Sequence, residues 1–180
     1  MSDGTQGADV NNLNTGRRFT LDPAMTYGQM RQALAKQKNA PIVFSMSGEE
    51  LGECGTTCGV YDECLQAIAI NRDMTYVQKR CTLVHELFHW LHGHEGCDGL
   101  YGSKHERLVR RETAIFLINP VECAIAETAY EGDEFNMSAD LDVTVQVLED
   151  YRRMLRDGGS PIRPAPSRMG CGGLPDRVSL

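Results

Sequence analysis

No apolar run in the 180 residues approaches the roughly 20 needed for a membrane-crossing helix, so no helical span is expected. The polar, Gly- and Asn-containing start lacks the basic-then-apolar order of a secretion signal, and the cytoplasm is the expected location. Basic residues are also outnumbered. Eighteen Lys and Arg stand against 25 Asp and Glu, giving a net charge of -7 and a pI near 5.2. Bulk attraction to nucleic acid or to an anionic membrane is therefore excluded as the basis of function. No internal repeat is present. Cysteine is not scarce, but its seven copies form an odd set without a secretion signal, so free thiols are expected rather than a disulfide framework. Cys54, Cys58 and Cys64 cluster without the paired two-residue spacing of zinc ribbons, which favours packing over a second metal site.

A chain of this length supports one domain with a sizeable core. Residues 1–18 are rich in Gly, Asn, Asp and Ser and show no apolar period, which predicts a disordered leader. Residues 158–180 carry Pro161, Pro164, Pro166, Pro175, Gly170, Gly172 and Gly173 and predict a disordered tail. The folded domain is then 19–157. Within it, 26–38 has Met30, Ala33 and Leu34 at helical spacing after Pro23. Residues 41–46 read as a strand, and 59–61 with 66–70 read as a hairpin around Asp62 and Glu63. Helices are predicted over 76–92, stopped by Gly93, then over 106–118, 121–129 and 143–155. Strands come early and helices late, so the class is α+β, with helices packed on a small sheet.

Histidine is rare, yet three of the five fall on the single predicted helix 76–92. His85 and His89 are four apart, which on a helix stacks them on one face with Cβ atoms about 5–6 Å apart. Both imidazoles can then address one ion. Glu86 projects about 100° further round, beside the metal, where its carboxylate can take a proton from a metal-activated water. Val84, Leu87, Phe88 and Leu91 define a separate apolar stripe, so the histidines border the core and face a cleft. His92 shares the face of His85 but sits roughly 10 Å along the axis, outside the first sphere of any ion. His94 falls past Gly93 and reads as a loop residue; His105 precedes the next helix and can touch the cleft.

A catalytic zinc takes three protein ligands and keeps one position for water. The candidates for the third are Glu95, Asp98, Glu106 and Glu112. Glu95 and Asp98 follow Gly93 so closely that the chain would have to double back. Glu106 and Glu112 are separated by about 240° around their helix and cannot both face the ion. Spacing alone does not choose between them.

At Arg80-Cys-Thr-Leu-Val-His-Glu-Leu-Phe-His89, and again over Glu106 to Ile118, the chain resembles the ImmA/IrrE family of metallopeptidases, in the form met in actinobacteria and their phages. Gly59-Val-Tyr-Asp62 and Gln66-Ala-Ile-Ala-Ile-Asn71 are similar to the hairpin preceding the motif in that family, and the likeness covers roughly 40–155. The resemblance implies a zincin-like arrangement of a small sheet, an active-site helix and further C-terminal helices. It also implies Glu106 as the third ligand, with Val109 at a position usually small and Leu117-Ile118 as the apolar pair. Val109 and the Leu-Ile-Asn-Pro ending depart from the family pattern, and Glu112 remains the alternative. The implied activity is a zinc-dependent, cytoplasmic endopeptidase that cleaves or inactivates a helix-turn-helix repressor of a phage, mobile element or stress regulon.

The mechanism expected of such a chain places Zn2+ on His85, His89 and Glu106 with Glu86 as general base, and leaves Tyr101 or His105 to stabilise the oxyanion. One rival is a non-catalytic binding module of the same fold, with the fourth zinc position closed by a group such as cysteine. Another is a DNA-binding regulator, because 137–154 has a faint helix-turn-helix look. That segment is acidic, and a plain helical pair is the preferred reading.

Overall fold

Strands occupy the first half of the chain and helices the second, and the contact between these halves positions the motif. A computed structural model of the protein describes residues 7–51, 57–93 and 100–159, with the backbone alone for 100–103. The elements are β1 (Ala8–Asn11), β2 (Arg18–Leu21), α1 (Tyr27–Ala35), β3 (Ile42–Met46), α2 (Gly48–Leu51), β4 (Gly59–Asp62), β5 (Ala67–Asn71), α3 (Tyr76–His92), α4 (Leu100–Leu117), α5 (Pro120–Ala129), α6 (Glu134–Asp140) and α7 (Val145–Arg156). The α+β class expected from the sequence is the one observed. None of the described helices is long and apolar enough to cross a membrane.

The main sheet has the order β3-β5-β4, with β5 parallel to β3 and antiparallel to β4. The AIAIN strand β5 is buried along its whole length, as a central strand covered on both faces must be. Asp62 closes the β4–β5 turn by accepting the Leu65 amide at 2.9 Å, and Gln66 takes a left-handed φ of 49° there. Helix α3 begins at a capping box in which Thr75 and Gln78 satisfy each other's backbone amides, and ends at Gly93 with φ 65°. One face of α3 packs on β4 and β5 and another on α1 and α4. Its predicted stripe of Val84, Leu87, Phe88 and Leu91 is buried throughout.

The predicted leader is corrected in its second half. Residues 8–21 form the β1–β2 hairpin, with Ala8 opposite Leu21 and Asn11 opposite Arg18. Its cause is a short alternation: Phe19 and Leu21 point into the core while Arg18 and Thr20 face out. Phe19 packs edge-on against Phe88 and Phe116. Arg17 fastens the hairpin by pairing with Glu63 and lying over the rings of Tyr61 and Trp90. Residues 1–6 and the tail beyond Gly159 lie outside the described residues.

Other boundaries shift as well. Helix α4 starts at Leu100, six residues before the predicted 106, so His105 lies within it rather than ahead of it. Helix α6 is the first member of the expected helical pair and begins at Glu134, three residues before the segment read as that pair. It is capped by Asp133, and Asp142 with φ 52° turns the chain into α7. The 137–154 segment is thus a helical pair, with Met137, Leu148, Tyr151 and Met154 buried and α7 lying along α4. Arg152 bonds Glu127 and Arg153 bonds Asp150, so both arginines of this segment are engaged within the fold. Arg80 is a buried guanidinium that donates to the carbonyls of Pro23, Met25 and Asp142, tying α3 to both ends of the domain.

Candidate metal centre

Helix α3 places His85 and His89 one turn apart, with their Nε2 atoms 3.1 Å from each other. Helix α4 crosses in front and supplies Glu106, whose Oε2 lies 3.3 Å from His89 Nε2 and whose Oε1 lies 3.6 Å from His85 Nε2. One ligand atom from each residue can be chosen so that all lie within 4.8 Å, and this is the only such group of three or more among the described residues. The distances can be tested against an ion. Tetrahedral coordination with bonds of about 2.0–2.1 Å puts neighbouring donors roughly 3.3 Å apart. The His85–His89 separation of 3.1 Å and the His89–Glu106 Oε2 separation of 3.3 Å match that edge, while His85 meets the other carboxylate oxygen at 3.6 Å; the two-imidazole, one-carboxylate set suits a divalent transition metal. The residues therefore can hold a metal ion.

Charge at the centre is organised around the carboxylates. The Glu106 carboxyl is held far below the usual carboxylate range, first by the imidazoles of His85 and His89 and also by Arg110, against the opposing effect of burial. Glu86 has the reverse character. It is 9% exposed, and burial raises its carboxyl above the usual range, opposed by His85, His89 and the backbone amide of Tyr61. A carboxylate of raised basicity beside three ligand groups is suited to accepting a proton and returning it.

The other predicted residues separate clearly. Glu112 bonds His92, Oε2 to Nε2 at 2.5 Å, and His92 Nδ1 meets the Asn12 amide at 2.9 Å. Glu112 and His92 thus make a clip between α4, α3 and the β1–β2 hairpin, away from the ligand group, and the choice left open by spacing falls on Glu106. His105 is exposed and does not line the cleft. His94, Glu95 and Asp98 lie outside the described residues, as does the side chain of Tyr101. Cys58, Cys64, Cys81 and Cys123 are not in disulfides, and none belongs to the ligand group; Cys54, Cys97 and Cys171 are outside the described residues.

A cavity of about 390 Å³ opens beside the ligands. Gln78, Cys81, Thr82 and His85 of α3 form one wall, Glu106, Arg110 and Thr113 of α4 a second, and Thr144, Gln146, Val147 and Asp150 the end of α7 that closes it. Sequence reading missed Arg110, although its i,i+4 relation to Glu106 was a usable signal. The edge strand β4 completes the cleft. Asn71 N donates to Cys58 O at 2.9 Å, so the antiparallel alternation turns the amide and carbonyl groups of Gly59 and Tyr61 away from β5. Tyr61 uses its amide on Glu86. Comparisons with protein-family models, with curated proteins and with solved structures find no match to this chain.

Proposed function

We propose that the protein is a zinc-dependent endopeptidase of the ImmA/IrrE type, with a zincin-like fold, acting in the cytoplasm on a helix-turn-helix repressor. The observation that carries this reading is the convergence of His85, His89 and Glu106 with a buried Glu86 alongside. Three protein donors, with no fourth among the described residues, match the pattern of catalytic rather than structural zinc sites. Zinc bound there would supply Lewis acidity to a substrate carbonyl and acidity to an attacking water.

The chain's own residues supply the remainder. Glu86, buried and basic for a carboxylate, accepts the proton of the attacking water and delivers it to the departing amine. The Tyr61 amide holds that carboxylate toward the ligands. An extended peptide can lie along the outer edge of β4, beside Gly59, as an added strand; this favours a peptide over a small-molecule substrate. The repressor as target rests on the motif resemblance.

The test uses the full chain with the helix-turn-helix repressor encoded beside it. Glu86→Gln should retain stoichiometric zinc and lose cleavage by at least the roughly 100-fold associated with a general base. Retained cleavage would refute the assignment of Glu86. Zinc-dependent binding of the repressor with no cleavage by the parent chain would instead identify a non-catalytic adaptor.

A further inference from the structure

The carboxylate that completes the ligand group is itself held from behind. Arg110, one turn along α4, donates from Nε to Glu106 Oε1 at 2.9 Å. The same Oε1 stands 3.6 Å from His85 Nε2, and Oε2 faces His89 Nε2 at 3.3 Å. The other end of the guanidinium is 4.0 Å from Oδ1 of Asp150, a carboxylate of α7 that is only 7% exposed and lines the same cavity. Asp150 is fixed in turn by Arg153 at 3.0 Å. A chain of groups thus runs from the last helix to the ligand.

We infer that Arg110, anchored by Asp150, is a positioning residue for the metal ligand Glu106. The inference rests on the metal-site reading above and goes beyond it by making the site depend on α7. Glutamate has three rotatable side-chain bonds, and the Glu106 side chain is 34% exposed, so unrestrained it would sample positions facing solvent. A planar guanidinium bonded to Oε1 from one side fixes the orientation of the carboxylate, keeping Oε1 toward His85 and Oε2 toward His89. A lone arginine so close to a divalent cation would also repel it. The Glu106 carboxylate at 2.9 Å and the buried Asp150 at 4.0 Å, the latter shared with Arg153, offset that repulsion.

The experiment titrates the metal-free full chain with Zn2+, in competition with a chromophoric chelator, and records the visible spectrum of the Co2+-loaded form. Arg110→Met should raise the Kd for zinc about 10- to 100-fold, the range for removing a partner that orients a ligand. It should also shift the Co2+ spectrum. Arg110→Lys should recover part of both changes, because an ammonium keeps the charge without the fork. Asp150→Asn should weaken zinc binding less than Arg110→Met. Circular dichroism in chelator establishes that each variant folds; if Arg110→Met does not, Arg110→Lys and Asp150→Asn decide, and unchanged affinity in both would overturn the inference. Unchanged affinity and spectrum in a folded Arg110→Met would overturn it while leaving the metal site standing. Absence of zinc binding by the parent chain would overturn the metal site and the inference together.

Discussion

Replacing Glu106 and Glu112 separately by glutamine distinguishes a ligand from a structural clip six positions away on the same helix. Glu106 Oε2 lies 3.3 Å from His89 Nε2, so Glu106→Gln removes the anionic donor from a three-residue set and leaves the two imidazoles. The loss should exceed the roughly 100-fold upper range for partners of ligands, since here the ligand itself changes. Glu112→Gln removes the charge from the bond to His92, whose side chain is 17% exposed against 31% for Glu112. Bonds to charged groups contribute about 1.5–3 kcal/mol when buried, and this partial exposure reduces the expected cost to roughly 1–2 kcal/mol. For a domain of this size that is a fall in Tm of about 2–8 °C with zinc affinity unchanged. Chelator competition gives the affinity, and thermal melting in chelator gives the stability. A Glu112→Gln protein that loses zinc, beside a Glu106→Gln protein that keeps it, would refute the placement of α4.

Gly59 offers a second test, because an added Cβ would lie 2.6 Å from Thr82 Cγ2 and 3.1 Å from the Ala69 carbonyl. Gly59→Ala should push β4 from α3 and reduce cleavage by about 10- to 100-fold, the cost of a misplacement near 1 Å, with zinc content preserved. Thr82→Ser in the same chain removes the colliding methyl and should restore part of the rate; undiminished cleavage by Gly59→Ala alone would contradict the close approach. A third test concerns acid stability. Arg17, then Tyr61, holds the Glu63 carboxyl down to about 2 against an ordinary value of 4.5. A depressed carboxylate stabilises the fold fully above its unfolded value and loses that contribution as pH falls through the folded one. Glu63→Gln should therefore cost roughly 1.5–3 kcal/mol in urea unfolding at neutral pH, and progressively less between about pH 4.5 and 2. A difference from the parent that stays constant across that interval would exclude the Arg17–Glu63 pair as its source.

Much of the metal helix was legible because its determinants are local. The His85, Glu86 and His89 arrangement follows from helical geometry, and both ends of α3 are written in short signals, Thr75 with Gln78 at one end and Gly93 at the other. What failed to read locally is stabilised by distant partners. The β1–β2 hairpin has four-residue strands, below what periodicity detects, and is fastened by Phe19 against Phe88 and by Arg17 against Glu63 and the Trp90 ring. Helix α6 was legible only as one half of a helical pair without its own bounds, since seven residues are too few for a 3.6-residue period to mark its ends.

The third ligand is an intermediate case, since helical spacing leaves Glu106 and Glu112 open and the burial pattern of α4 separates them. On α4 the buried positions are Val109, Thr113, Ala114, Phe116 and Leu117. At 100° per residue their mean direction falls within about 20° of Glu106 and about 100° from Glu112. Glu106 therefore projects from the middle of the face that α4 presents to the core, whereas Glu112 borders it. A carboxylate set among apolar neighbours is costly unless cations or a metal compensate it, and here His85, His89 and Arg110 converge on it. It is the observed burial, with Thr113 buried and Leu108 exposed, that singles out Glu106; the apolar letters of the segment do not do so by themselves. The same reasoning identifies Arg110, at about 40° on that face, as the group placed to answer the charge.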